Sequence, residues 1–294
     1  MTTEKLGFIG LGTMGLPMSL NLLNAGNDLA IWGRNPDKLK DAVIAGGELM
    51  ATPEKLGEIC DVIFLCVFDS VAVNEVVFGK DGIAKGASKN LMIVDHSSIH
   101  PEHTREMAKK LKNETGASWV DCPVSGGRYG ARDGTLVMMA GGKKKDIERL
   151  RPIVTATSQR LTHMGPVGCG QATKLVNQAV IGAEIAVLAE MFGFANRYGV
   201  KVKEIPDALA GGWADSTVLQ DHARRMIRAD YWETAPGNTV KDLNTVCEMG
   251  RTTGSPMPIA ALTTELYRYL GAQGHASKGQ IGLMHLYVQE ALDK

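Results

Sequence analysis

The 294-residue chain lacks most of the sequence features that mark exported, membrane-bound or nucleic-acid-binding proteins. Its five cysteines form no CxxC pair, and their odd number leaves at least one outside any set of disulfides, which favours a reducing, cytoplasmic location. No basic and apolar leader precedes the first strand-like run, so we expect neither export nor membrane insertion. The 32 basic and 32 acidic residues cancel, and this balance predicts no nucleic-acid or membrane partner.

Apolar residues make up 44% of the chain and charged residues 22%, proportions typical of a soluble globular protein. The length suffices for two domains with their own cores. Short apolar runs alternate with helical segments as far as Gly165, whereas the apolar spacing after Gly168 is helical. We therefore predict an α/β fold: a Rossmann-type, doubly wound dinucleotide-binding domain over residues 1–165, followed by an all-helical substrate and oligomerisation domain over residues 166–294.

A glycine triplet follows the first apolar run and opens the first predicted helix. Gly10 allows a tight turn, Gly12 lets the backbone approach a pyrophosphate, and Gly15 lets the helix pack on the strand. The N–H groups at the start of the helix favour an anion. The predicted pyrophosphate loop comprises Gly10, Leu11, Gly12, Thr13, Met14 and Gly15.

The end of the second predicted strand indicates which dinucleotide binds. A ribose with a free 2′-hydroxyl usually meets a carboxylate about 20 residues beyond the glycines, whereas a 2′-phosphate needs a cation. This chain has Arg34 and Asn35 there, and a guanidinium can bind phosphate through two parallel hydrogen bonds. We predict NADP(H) as the cofactor. Alternatively, Arg34 is only solvated at the strand end or pairs with Asp37, which could itself reach a ribose.

Two further apolar strands predict cofactor contacts at their carboxyl ends, where the ligands of doubly wound sheets bind. Val67 and Phe68 follow one of these strands, and Ser98 follows the other. Ser98 could equally well cap or precede the helix that begins near Pro101.

Three histidines, His96, His100 and His103, lie close together in the sequence. Their spacing matches neither a helical HExxH motif nor a zinc finger, and no cysteine cluster or carboxylate pair accompanies them. We therefore predict no metal site and expect these histidines at the surface or in turns.

A Ser125-Gly126-Gly127 turn follows the strand that ends near Asp121. Adjacent glycines after a serine expose several backbone N–H groups, which suits a carboxylate or an oxyanion. A glycine hairpin without any ligand explains the same residues equally well.

The stretch from Gly168 to Gly199 predicts one long, largely buried helix, because apolar residues recur at three- and four-residue steps and no proline interrupts them. Lys174, Asn177 and Gln178 are polar residues near its start, which places candidate chemistry there. We also expect a homodimer or homotetramer, because small residues along this helix suit close packing against a partner subunit. These small residues are Gly182, Ala183, Ala186 and Ala189.

Four separated motifs resemble those of the β-hydroxyacid dehydrogenases, which include 3-hydroxyisobutyrate dehydrogenase, tartronate semialdehyde reductase and the glyoxylate/succinic semialdehyde reductases. The motifs are FIGLGTMGLPMSLNL, VDCPVSGGRYGARDGTL, GCGQATKLVNQ and KDL, in the order and spacing of that family. The resemblance covers essentially the whole chain. It implies hydride transfer between NADP(H) and a small carboxylate-bearing aldehyde or 3-hydroxyacid.

The resemblance also implies roles for individual residues. It makes Lys174 the catalytic acid and base, and it assigns the substrate carboxylate to the turn at 125–127. It places Ser98 in a cofactor loop and Lys241, from KDL, near the nicotinamide.

This chain departs from the family pattern beside the catalytic lysine. The family commonly has Asn four residues after that lysine, where this chain has Gln178 preceded by Asn177, so which amide contacts the substrate stays open. Substrate choice is expected to depend on Trp213 and Asp215, although packing between domains explains both equally well. The alternatives to a semialdehyde reductase are an imine reductase, which generally lacks the lysine, and a catalytically silent NADPH-binding sensor.

Overall fold

The computed structural model describes residues 4–231, 237–288 and 292. The chain divides into two compact units, Met1–Lys174 and Leu175–Lys294. This division falls inside a helix, whereas the boundary predicted from the sequence lies before that helix, after residue 165.

The first unit is built on a nine-stranded sheet whose strands alternate with helices. Apolar runs form most of these strands, because helices cover both faces of the sheet there. The strands are β1 (Leu6–Ile9), β2 (Leu29–Trp32), β3 (Glu48–Leu49), β4 (Val62–Leu65), β5 (Met92–Asp95), β6 (Ser118–Asp121), β7 (Val124–Ser125), β8 (Leu136–Gly141) and β9 (Ser158–Gly165).

The strand order is β3-β2-β1-β4-β5-β6-β8-β7, and β9 pairs with β8. Strand β1 lies between β2 and β4 and runs parallel to both. The chain order reverses there, so the carboxyl ends of β1 and β4 form the switch point at which doubly wound sheets bind ligands. Strands β6 and β7 run antiparallel to β8, which makes the sheet mixed. The predicted Rossmann-type fold is confirmed.

Side chains alternate between two hydrophobic clusters, one on each face of the sheet: Phe8 and Phe64 belong to one cluster, Ile9 and Ile63 to the other. The helices that pack over them are α1 (Gly15–Asn24), α2 (Lys40–Ile44), α3 (Pro53–Ile59), α4 (Ser70–Phe78), α5 (Ile83–Gly86), α6 (Pro101–Thr115), α7 (Gly127–Asp133) and α8 (Lys144–Leu150). Helix α7 was not predicted.

The described part of the second unit is helical, as predicted. Its helices are α9 (Cys169–Tyr198), which begins in the first unit, α10 (Ile205–Leu209), α11 (Arg224–Ile227), α12 (Asn238–Thr253) and α13 (Pro258–Ala272). The prediction that α9 is largely buried is wrong. Ile185, Ala189 and Phe192 are buried in the core of this unit, but the opposite side of the helix is exposed.

Candidate active site

A cavity of about 670 Å³ lies in the first unit at the carboxyl ends of β1, β2 and β4. Its wall contains the whole predicted pyrophosphate loop together with Arg34, Asn35, Val67 and Phe68. The structure therefore brings most of the predicted cofactor residues to one place. Ser98 lies outside this wall, and Lys241 belongs to the second unit.

The pyrophosphate loop requires glycine in two different ways. Gly10 has a φ of +98°, and a Cβ on it would lie 2.2 Å from the carbonyl oxygen of Cys66, so a side chain would break the turn. A Cβ on Gly12 would meet nothing within 4 Å, which leaves the space in front of the backbone open. No side chain caps α1 and no acidic residue lies in its first turn. This loop therefore fits the pyrophosphate of a dinucleotide.

Arg34 is exposed on the cavity wall at the end of β2. Asp37, its alternative partner, instead forms an ion pair with Lys40 at 2.7 Å. The backbone N–H of Asp37 donates to the side chain of Asn35 at 3.0 Å, which fixes the turn that follows. The guanidinium and the Asn35 amide stand where the ribose end of a dinucleotide is expected.

Lys38, which no motif in the sequence indicated, is a further cation on the wall of the cavity. The chain turns back after β2 through a short 3₁₀ helix, Pro36–Leu39, whose proline occupies a first-turn position. The Asn-Pro pair after a strand is a turn signal, and it could have indicated that Lys38 returns toward the strand end.

The loops after β4 and β5 are tied to each other. The backbone N–H of Val67 donates to the Ser97 hydroxyl at 3.0 Å. Ser98, half-buried, lies next along the chain but does not cap α6. That cap is His100, whose ring nitrogen accepts from the backbone N–H of Glu102 at 3.1 Å.

The prediction that the three histidines lie at the surface or in turns is wrong for His96. Its ring is 4% exposed, stacks on Phe64 with centroids 5.5 Å apart, and donates from Nδ1 to the carbonyl oxygen of Cys122 at 2.6 Å. Burial lowers the pKa of His96 to about 4, so the ring is neutral at physiological pH. His100 is half-buried and His103 is exposed.

A carboxylate from β6 holds the start of α9. Asp121 Oδ1 accepts from the N–H of Gly168 at 2.7 Å, and Oδ2 accepts from the N–H of Gln171 at 2.9 Å. Burial raises the pKa of Asp121 to about 6, and these hydrogen bonds oppose the rise, so the group is mainly ionised at pH 7. A Cβ on Gly170 would lie 2.4 Å from the Met139 carbonyl oxygen, so helix and strand pack too closely here for any side chain.

The side chain of Gln171 extends this connection to the loop after β5. Its Nε2 donates to the carbonyl oxygen of Ser97 at 2.6 Å, and its Oε1 accepts from the N–H of Ile99 at 3.2 Å. Ser98 lies between these two anchored residues. Lys174 follows Gln171 by three residues in α9, so the catalytic candidate sits one helical turn beyond a fixed point.

The predicted carboxylate turn lies between β7 and α7. Gly126 and Gly127 have φ values of +126° and +59°, a conformation that favours glycine. A Cβ on Gly127 would meet nothing within 4 Å, so the space beside this backbone is open. Helix α7 separates Ser125 from β8, so the connection is not the tight glycine hairpin of the alternative interpretation.

Three of the predicted site residues in the second unit, Asn177, Gln178 and Lys241, belong to one network of polar contacts. Asn177 Nδ2 donates to Gln178 Oε1 at 3.1 Å, and Gln178 Nε2 donates to Asp242 Oδ2 at 2.8 Å. Lys241 Nζ lies 3.5 Å from Asp242 Oδ1. Asp242 therefore joins α9 to α12, and the amide of Gln178 is oriented by contacts at both of its polar atoms.

Trp213 and Asp215 occupy the loop after α10. The indole of Trp213 is fully exposed. Asp215 accepts from the N–H of Gly211 at 2.8 Å and from Gln220 Nε2 at 2.7 Å. The Gly211 bond is the main reason why the pKa of Asp215 is lowered. The carboxylate thus fixes its own loop.

The chain matches known families over most of its length. A family described as the NAD-binding domain of 6-phosphogluconate dehydrogenase matches residues 5–165, and one described as NAD-binding of NADP-dependent 3-hydroxyisobutyrate dehydrogenase matches residues 168–287. The chain is 37% identical over 275 residues to 2-hydroxy-3-oxopropionate reductase of Escherichia coli (strain K12). This match covers 92% of each of the two chains.

Solved structures share the fold. The 3-hydroxyisobutyrate dehydrogenase of Mycobacterium tuberculosis, solved with L-serine, matches with a TM-score of 0.87 at 24% identity, covering 97% of this chain and 99% of that one. Psf3 in complex with NADP+ and 2-OPP matches with a TM-score of 0.83 at 22% identity, covering 96% and 100%. The two family matches and the 37% identical relative confirm the resemblance predicted from the four motifs: the chain belongs to the β-hydroxyacid dehydrogenase family, a group of oxidoreductases that use a nicotinamide cofactor.

Proposed function

We propose that this protein reduces a small carboxylate-bearing aldehyde to the corresponding 3-hydroxyacid with NADPH, or catalyses the reverse reaction, with Lys174 as general acid and base. The observation that carries the proposal is the fixed start of α9. Asp121 and Gln171 hold that start to β6 and to the loop bearing Ser98. Proton transfer requires a group held within hydrogen-bond reach of the reacting oxygen, and a rigid helix start supplies such a position for Lys174.

The cavity wall supports NADP(H) over NAD(H). Arg34 and Lys38 are both exposed cations there, and the chain reads Gly-Arg-Asn where a carboxylate would bind a free ribose 2′-hydroxyl. A carboxylate in that position would repel a 2′-phosphate, whereas a guanidinium binds it. The matched family named for an NADP-dependent 3-hydroxyisobutyrate dehydrogenase agrees with this choice.

The cofactor, when bound, supplies the hydride; the remaining chemistry belongs to the chain. As the carbonyl carbon is reduced, negative charge grows on its oxygen, and the ammonium of Lys174 stabilises that charge and donates a proton to the oxygen. Ser125 and the backbone N–H groups of the turn at 125–127 bind the substrate carboxylate. The Asn177 and Gln178 amides orient the substrate.

The name of the Escherichia coli relative supports the substrate class. 2-Hydroxy-3-oxopropionate is a three-carbon aldehyde that carries a carboxylate. The decisive experiment follows NADPH oxidation with glyoxylate, tartronate semialdehyde, methylmalonate semialdehyde, succinic semialdehyde and a set of cyclic imines, with NADH in parallel. We expect one acid semialdehyde to be preferred. Turnover of imines alone would establish the imine reductase alternative, and silence with tight NADPH binding would indicate a substrate outside this set or the sensor.

The role of Lys174 is tested by Lys174→Ala. We expect kcat to fall at least 1,000-fold while the Kd for NADPH stays within about threefold, because the lysine acts on the substrate oxygen. Lys174→Arg is the matched control, since arginine keeps the positive charge but does not release a proton at neutral pH. A Lys174→Ala variant with wild-type kcat would remove this residue from the mechanism.

The role of Arg34 is tested by Arg34→Asp. We expect the ratio of kcat/KM for NADPH to that for NADH to fall at least 100-fold, because the new carboxylate repels the 2′-phosphate and binds a free ribose. Lys40→Asp makes the same charge change nearby, outside the cavity wall, and should alter the ratio less than fivefold. Equal shifts in both variants would show that only overall charge matters.

A further inference from the structure

Ser97 joins two parts of the first unit that carry different members of the predicted site. Its hydroxyl oxygen accepts at 3.0 Å from the N–H of Val67, which lies on the cavity wall. Its carbonyl oxygen accepts at 2.6 Å from Nε2 of Gln171, in the first turn of α9. Its own N–H donates to Asp95 Oδ1 at 2.9 Å, so Ser97 is fixed to the end of β5. One buried residue therefore connects the cavity to the helix that bears Lys174.

Gln171 is 1% exposed, and both polar atoms of its side chain bind the loop after β5. Nε2 donates to Ser97, and Oε1 accepts from the N–H of Ile99 at 3.2 Å. We call these two hydrogen bonds the Gln171 bridge. Burial alone would favour an apolar side chain of the same length, such as methionine, because burying an amide carries a desolvation cost. The amide is explained instead by the connection that it makes.

Two anchors hold the start of α9 in different ways. Asp121 accepts the N–H groups of Gly168 and Gln171, which point along the helix axis, so it holds the end of the helix against β6. The side chain of Gln171 projects away from the axis, so the Gln171 bridge fixes the rotation of the helix start. Lys174 follows Gln171 by three residues, and the directions of the two side chains differ by about 60°. The anchored side of the helix is therefore the side from which Lys174 emerges.

We propose that Gln171 is a positioning residue: the Gln171 bridge holds Lys174 in a fixed place relative to the cofactor loops after β4 and β5. This inference rests on the proposed function, in which the carbonyl carbon receives a hydride and its oxygen receives a proton from Lys174. These two atoms are bonded to each other, so the groups that serve them must keep one separation and one angle. Ser97 and Gln171 transmit that relation from the cavity wall to the helix through two hydrogen bonds.

Hydrogen exchange of the cofactor-free protein tests the bridge itself. Gln171→Met keeps the length of the side chain and removes both hydrogen bonds, so we expect exchange at 97–99 and 168–174 to be at least about tenfold faster. Exchange at the pyrophosphate loop, 10–15, should not change. The matched control is Thr157→Val, which removes a buried hydroxyl that donates to the Val154 carbonyl oxygen in its own turn. Unchanged exchange at 97–99 in Gln171→Met, or the same increase in the control, would overturn the proposal.

Turnover tests whether the bridge acts through Lys174. With the acid semialdehyde that the wild type prefers, we expect Gln171→Met to lower kcat at least about 30-fold. The Kd for NADPH should stay within about threefold, because Gln171 lies outside the cavity wall. In the Lys174→Ala background the same substitution should lower kcat less than about threefold, since no lysine is left to misplace. A fall of similar size in both backgrounds would show that Gln171 only maintains the structure, and the proposal would be wrong.

Gln171→Glu tests the hydrogen bonds by pH. A protonated glutamic acid has the shape of glutamine: its O–H can donate to Ser97 and its carbonyl oxygen can accept from Ile99, whereas the carboxylate has no donor. Burial raises the pKa of a glutamate in this place, and so does the Asp121 carboxylate bonded to its backbone. We therefore expect kcat of Gln171→Glu, relative to wild type, to rise at least about tenfold from pH 8 to pH 6.

The matched comparison for this rise is Gln171→Met, whose kcat relative to wild type should stay level over the same range. Asp95 titrates in all three proteins, so the ratio to wild type isolates the new carboxyl group. A level ratio for Gln171→Glu as well would contradict the hydrogen-bonded role of Gln171.

The outcomes separate this inference from the proposed function. Loss of activity in Lys174→Ala together with full activity in Gln171→Met would overturn the inference and leave the proposed function intact. Wild-type activity in Lys174→Ala would overturn both, whatever the exchange rates.

Discussion

Two glycine-rich segments begin helices in the first unit, and the structure uses them in opposite ways. GLGTMG, at 10–15, leads into α1, and no side chain caps that helix. GPVGCG, at 165–170, leads into α9, where the Asp121 carboxylate accepts two backbone N–H groups. Both starts concentrate N–H groups that favour an anion. What differs is whether the anion comes from a ligand or from another strand of the same chain.

The start of α1 can therefore bind a ligand, whereas the start of α9 positions a residue of the chain. The start of α1 opens onto a cavity, so its N–H groups are available to a phosphate. The start of α9 is filled and buried, so it serves as an anchor that sets where Lys174 emerges. A glycine-rich helix start therefore identifies a ligand site only when no carboxylate of the chain reaches it.

The largest expected effect comes from Asp121→Ala, which removes the carboxylate that accepts the N–H groups at the start of α9. The N–H groups of Gly168 and Gln171 would lose their acceptor in a buried place, and each such loss costs about 1–3 kcal/mol. We expect the free energy of unfolding to fall by about 4 kcal/mol, measured by urea denaturation at pH 7.5.

Two further variants make this test specific. Asp121→Asn should lose about half as much, because its amide oxygen can replace one carboxylate oxygen while its NH₂ faces a donor. Asp133→Ala removes an exposed carboxylate that pairs with Arg132, and it should leave the free energy of unfolding nearly unchanged. If Asp121→Ala were no more destabilised than Asp133→Ala, the α9 start would not depend on this carboxylate.

Local pattern was enough to predict the α1 start but not the α9 start. The pyrophosphate loop lies within about ten residues of the strand and helix that give it meaning, and short apolar runs identify the buried strands. Asp121 precedes the N–H groups it binds by 47 and 50 residues. Its role follows from the sheet: Asp121 is paired with Gly141 of β8, and Gly141 is paired with Gly165 at the end of β9, just before α9.

The same distinction, between local sequence pattern and contacts between distant residues, explains the other predictions that were wrong. His96 is buried because Phe64 and Cys122 from neighbouring strand ends enclose it, and neither is adjacent in sequence. The spacing of apolar residues in α9 gave its length correctly, but periodicity alone does not say which apolar side remains exposed. Small residues such as Ala189 were assigned to a partner although they face the core.

A second prediction compares the replacement of one glycine by alanine at each of the two helix starts. Gly12→Ala adds a methyl group where nothing lies within 4 Å, so the fold should tolerate it, while the Kd for NADPH should rise about 30- to 100-fold because the methyl occupies ligand space. Gly170→Ala forces a methyl group against the Met139 and Asp121 carbonyl oxygens and should cost about 2–3 kcal/mol of stability. Thermal unfolding and NADPH fluorescence titration measure both quantities. If Gly12→Ala and Gly170→Ala lost stability and NADPH affinity in the same proportion, the distinction between a helix start that binds a ligand and one that anchors the helix would be wrong.

The smallest expected effect concerns Asp95, the carboxyl paired in register with Asp121. Burial raises the pKa of Asp95 to about 7, whereas an unfolded aspartate titrates near 3.9. Between these values the folded chain binds the extra proton, so this group costs stability progressively as the pH rises from about 4 to 7. Asp95→Asn removes that titration, and its amide oxygen can still accept from the Ser97 N–H.

The test is the difference in unfolding free energy between Asp95→Asn and wild type, measured in urea at pH 4.5 and pH 8. We expect this difference to move in favour of the variant by on the order of 2 kcal/mol as the pH rises. The exposed Asp28→Asn should show no comparable movement. A constant difference would mean that Asp95 stays ionised over this pH range. The ends of β5 and β6 would then hold two buried charges, and only that of Asp121 would be bound by the N–H groups of a helix start.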